Sequence, residues 1–161
     1  MMFPKLAKSW RAKKNVDEKG TRIISPMELG DVILSVSKLF PVLFVGRIPP
    51  KALFSYLRVP AGKVKPLWLT TVETQSPYAI NPRHLYKLGA IIEREVKANG
   101  SQVIVDGIEY LIIENGLEPT LKFLGQVKDV TALHGSSLYV VASDALSEKE
   151  VVPIRRVLGL P

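Results

Sequence analysis

Cysteine is absent from the 161 residues. That excludes a disulfide framework, a thiolate metal site and a cysteine nucleophile. Histidine is scarce, with only His84 and His134, and two isolated histidines without cysteine do not make a zinc site. Their surroundings put His84 in the first turn of one helix and His134, beside Gly135, at the end of another, where it would complement the helix dipole. A long hydrophobic run is missing too. Val32 to Ile48 is the most apolar stretch, but Lys38 and Pro41 interrupt it, and a bilayer needs roughly 20 apolar residues. With no secretory segment and no cysteine, a reducing cytoplasmic setting is expected. Abundant Lys and Glu without cysteine also suit a thermophile.

What is present is an ordinary globular composition, 47% hydrophobic and 23% charged, in a chain long enough for one domain with an added arm. The formal charge of +7 is unevenly placed. Residues 1–22 hold seven cationic side chains against Asp17 and Glu18, so the arm carries +5 of the total. The basicity therefore belongs to the arm and not to the folded domain. Within the arm, Phe3, Leu6 and Trp10 lie about one helical turn apart among Lys5, Lys8, Arg11, Lys13 and Lys14. Either this is a basic amphipathic helix for nucleic acid or an anionic surface, or it is a tail whose Trp10 packs back on the domain.

Residues 23–40 read as a helix entered through Ser25–Pro26–Met27–Glu28, a capping box with proline at the first position. Leu29, Val32, Ile33, Val36 and Phe40 form its apolar face. That face can pack on the domain or mediate self-association. Residues 41–161 alternate strand and helix. Strands are expected at Pro41–Ile48, Leu67–Val72, Gln102–Val105 and Ser137–Ala142. Helices are expected at Lys51–Leu57, from Asn81–Pro82 to Asn99–Gly100, from Glu118–Pro119 to His134, and after the capping box Ser147–Glu150. Glu73 to Ala79 reads as a surface loop, and Leu111–Ile113 as a continuation of the apolar run after Asp106–Gly107. Pro153 implies that the last helix kinks or starts later than its box. This alternation predicts an α/β fold, a mostly parallel sheet of four or more strands with helices on both faces. Gln102–Val105 is uniformly apolar after its first residue, as a central buried strand should be.

The segments Val103–Leu111, Glu114–Asn115, Lys122–Leu124 and Asp144–Glu150, with Gly46–Pro49 and Leu67–Thr70 before them, resemble the archaeal family called domain of unknown function 835. The resemblance runs from about Val42 to Leu158 and leaves the first forty residues outside. It implies an archaeal, cytoplasmic protein on a degenerate RecA/KaiC-like, P-loop-type core. In that group the aspartate ending a central strand, here Asp106, belongs to the second nucleotide-binding motif and holds a magnesium-bound water.

A phosphate loop would need the order G-x-x-x-x-G-K-[ST]. Gly62–Lys63 is followed by Val64, and Gly46–Arg47 by Ile48, Pro49 and Pro50. Proline lacks the amide donors of a phosphate cradle. ATP hydrolysis is therefore not expected, and no cofactor is implied. Asp106 is either a remnant ligand contact at the sheet's C-terminal edge or a turn cap before Gly107, the second being preferred. Arg47 can meet a phosphate or pair with Asp106, and the ion pair is the expectation. Glu109 and Glu114 could complete a hard-cation site with Asp106, but turn geometry with solvent is preferred, so no metal is expected. Ser136 and Ser137 have no nucleophile-elbow context. The sequence thus predicts no enzyme but a non-catalytic interaction or regulatory module with a protein partner or a second copy. Binding of nucleic acid or an anionic surface through residues 1–22 is the alternative.

Overall fold

The computed structural model describes residues 20–56, 58 and 62–161. The arm residues Lys5, Lys8, Trp10, Arg11, Lys13 and Lys14 lie outside them. The strands are β1 (Thr21–Ile24), β2 (Val42–Gly46), β3 (Val64–Leu69), β4 (Ala79–Ile80), β5 (Gln102–Val105) and β6 (Leu138–Val141). The helices are α1 (Leu29–Ser37), α2 (Pro50–Tyr56), α3 (Leu85–Asn99), α4 (Ile108–Asn115), α5 (Leu117–Leu133) and α6 (Glu148–Val157). Six strands form one sheet in the order β1-β6-β5-β2-β3-β4, and every described pairing is parallel.

Side-chain alternation along the strands creates two cores. Val42 and Phe44 face one side of β2, Leu43 and Val45 the other. On the first side α1 and α2 cover the sheet through Leu29, Val32, Ile33, Val36 and Leu53. On the second side α3, α4, α5 and α6 pack through residues such as Leu88, Leu111, Leu124 and Ile154. The central strands β2, β5 and β6 are buried along their whole length. That explains their near-continuous apolar sequence, since a strand covered on both faces needs no polar alternation.

Several boundaries differ from expectation. Thr21 and Arg22 belong to a strand and not to the arm, pairing with Leu138 and Tyr139 of β6. The second expected strand, Leu67–Val72, is shifted: β3 starts at Val64 and stops at Leu69, because Thr70 turns back to accept the Val72 N–H. Ala79 leaves the expected loop to pair with Trp68. Helix α3 begins at Leu85 and not at Pro82, because the Asn81 side chain caps a turn by accepting the Arg83 N–H at 2.9 Å. His84 therefore sits at the N-cap rather than in the first turn. The apolar run after Gly107 is the separate helix α4. Ser25–Glu28 starts a single 3-10 turn, Pro26–Glu28, that leads into α1. Helix α6 starts where its capping box indicates, with Pro153 inside it.

Candidate functional site at the C-terminal edge of the sheet

From β2 the chain passes to β3 and β4 on one side, then returns to β5 on the other side of β2. Such a reversal opens a crevice beyond the strand ends, the usual ligand position in parallel α/β sheets. Here the crevice lies between Gly46–Arg47 at the end of β2 and Asp106–Gly107 after β5. The two ends are tied together by the Asp106 N–H, which donates to Val45 O at 2.7 Å.

This junction is tightly filled. A Cβ on Gly46 would stand 2.9 Å from the Phe44 ring and 3.1 Å from the Asp106 Cβ. Gly107 adopts φ +99, which an L side chain avoids, and a Cβ there would lie 3.3 Å from the Arg47 Cγ. Arg47 thus lays its stem over Gly107. Its guanidinium continues onto the Tyr110 ring, 3.8 Å from the centroid, and Nη1 donates to Leu69 O at 2.8 Å. Arg47 does not pair with Asp106, and it takes part in no ion pair among the described residues. An aromatic face and a strand-end carbonyl hold the guanidinium instead.

Asp106 is held above the ordinary aspartate range. Burial is the main cause and the neighbouring Glu109 charge adds to it, while the Gly107 backbone N–H acts in the opposite direction. Glu109 turns to β6, accepting a hydrogen bond from the Ser143 hydroxyl and another from the Ser143 N–H at 3.3 Å. Glu114 pairs with Arg83 at 2.9 Å. The three carboxylates considered together therefore have separate partners or surroundings. Among the described residues no cluster of three His, Cys, Asp or Glu is placed to hold a metal. His134 caps the end of α5. Ser136 and Ser137 are buried at the entry to β6, where the Ser137 N–H donates to Gln102 Oε1.

Two clefts flank this edge. Thr70–Ser76, Ala79, Ile80 and Asn81 enclose about 660 Å³ beyond the ends of β3 and β4. Residues from the ends of β1 and β6, with Ser143, Asp144 and Arg155, enclose about 260 Å³. Sequence reasoning did not single out Tyr110, Ser143 or the Thr70–Ser76 loop. Tyr110 lies in the first turn of Ile108–Asn115, so it stands beside the crevice once that segment is recognised as a helix starting directly after Gly107.

A family model described as "Protein of unknown function (DUF835)" matches residues 23–158. The chain belongs to this family. The matched region starts well before Val42 and takes in α1 and the second half of β1, Ile23–Ile24, so the family's unit reaches the edge strand and includes the helix after it. No curated protein matches the chain. Among the described residues no helix is long and apolar enough to cross a membrane.

Proposed function

We propose that the domain is a non-catalytic interaction or regulatory module on a RecA-like sheet that has lost its phosphate loop. The filled crevice carries this reading. Where a nucleotide would need free amides after the central strand, the chain has Ile48, Pro49 and Pro50, and α2 starts on Pro50. The space beside Gly107 is taken by the chain's own Arg47. A nucleotide would have to displace a stacked guanidinium and would find no backbone nest beneath it. Calorimetry with ATP and magnesium is expected to give no saturable heat, and tight magnesium-dependent binding would overturn the proposal.

The uneven charge supports a second reading, an anionic surface or nucleic acid held through the basic arm. Residues 1–19 contain six cationic side chains and two acidic ones. Removing them should abolish salt-sensitive binding to DNA, RNA or acidic vesicles. Binding that survives the deletion would refute this reading.

A further inference from the structure

Arg47 is exposed to solvent but not free to move. It is fixed on Tyr110 at 3.8 Å and by its bond to Leu69 O at 2.8 Å. A guanidinium has five N–H donors, and the Leu69 carbonyl takes only one of them. No carboxylate of the described residues pairs with it. A planar cation whose conformational freedom is already lost can receive an oxyanion at little further entropic cost. Arginine and tyrosine are also the side chains that most often dominate interface energetics.

The carbonyl that holds Arg47 immediately precedes Thr70, which opens the 660 Å³ cleft. The hydroxyl oxygens of Thr70, Thr74 and Ser76 each accept a backbone N–H of their own loop, from Val72, Ser76 and Tyr78 at 3.0, 3.2 and 3.3 Å. No described group accepts from these hydroxyls; Thr70 is buried, while Thr74 and Ser76 on the cleft wall can donate to acceptors from outside. Pockets for small cofactors are mostly apolar, whereas this one is lined mainly by hydroxyl and amide groups. An extended peptide presents the matching row of carbonyl acceptors. Val72, 65% exposed at the rim, offers an apolar contact for a side chain. Glu73 in the same lining opposes anions inside the cleft itself, so a carboxylate of the ligand would be received at Arg47, outside that lining.

We propose that the Arg47–Tyr110 pair and the adjoining hydroxyl-lined cleft form the docking surface for an extended, acidic peptide segment of a protein partner. This rests on the reading of the domain as an interaction module and names the chemistry of its partner.

The test is a titration of the full chain, followed through backbone amide resonances, with a blocked peptide alternating glutamate and alanine. The same peptide with glutamine for glutamate, and inorganic phosphate, form parallel arms. Saturable shifts at Arg47, Leu69–Ser76 and Tyr110 are expected with the acidic peptide alone. Arg47→Met keeps an aliphatic stem over Gly107 and should weaken binding about tenfold or more. Thr74→Ala, in an exposed loop, should weaken it without disturbing the fold. The assignment is overturned by no shifts, by shifts confined to residues 1–22, by equal shifts with phosphate or the glutamine peptide, or by unchanged binding in both variants. Any of these leaves the non-catalytic reading intact, because that reading is decided by nucleotide calorimetry.

Discussion

Asp106 shows how burial ties the charge of one side chain to stability. Its folded-state affinity for a proton is raised, so the charged form is less favourable in the folded chain than in the unfolded one. A raised value means that this residue's stabilising contribution is full below the ordinary aspartate range and is lost as pH rises through the folded value. Asp106→Asn keeps an oxygen for the Gly107 N–H and removes the charge. It should raise the urea midpoint at pH 7, and the gain should vanish in acid. A variant less stable than wild type at pH 7 would show that the carboxylate has a favourable partner. The neighbouring Arg47 also marks a limit of sequence reading. Its place at a strand end was legible, but its acceptor was not, because Leu69 and Tyr110 approach it only through the pairing of β2 with β3 and the position of α4.

At the level of elements, Glu95 joins α3 to β3. Its side chain is 11% exposed and accepts from Lys65 Nζ at 2.6 Å and from Asn99 Nδ2 at 2.9 Å. Burial pushes its protonation upward, but the hydrogen bonds from Lys65 and Asn99, with the charges of Lys65 and Arg94, outweigh it and hold Glu95 below the ordinary range. The sign is therefore opposite to that of Asp106. The contribution is present above the unfolded-state value and is lost as pH falls through the lower folded one. Glu95→Gln should destabilise the fold by about 1 kcal/mol at pH 7, with no difference in acid, as read by urea unfolding at both pH values. Longer elements were legible from periodicity and caps, as with the apolar face of α3 and the box of α6. Short ones were not. The strand Thr21–Ile24 is half-buried apart from Ile24 and follows a basic stretch, and Ala79–Ile80 is two residues long. The helix α4 was obscured because its Leu111–Ile113 segment extends the apolar signal of β5.

For the molecule as a whole, the boundary between arm and domain is set by pairing rather than by charge. The Leu138 N–H donates to Gly20 O, and Ile24 is 1% exposed in the core. A chain beginning at Gly20 should keep the thermal midpoint of the full protein. One beginning at Ser25 loses Ile24 and the edge pairing of β6. Losing the Ile24 side chain alone should cost about 2–5 kcal/mol, seen as a lower denaturant midpoint. Equal midpoints for the two truncations would show that β1 is not part of the stable unit. The family match from residue 23 takes in the second half of this strand, Ile24 included.

The pairing of β1 with β6 has a further consequence for synthesis. Residues 21–24 leave the ribosome before the other described strands, but their partners, residues 138–141, follow more than a hundred residues later. Ile23 and Ile24 therefore wait without a sheet neighbour while β2 to β5 emerge and pair, and the edge closes only when nearly the whole domain has been made. A translational pause before residue 138 would hold the nascent chain with β5 uncovered on one side, the stage at which a chaperone would have most to shield.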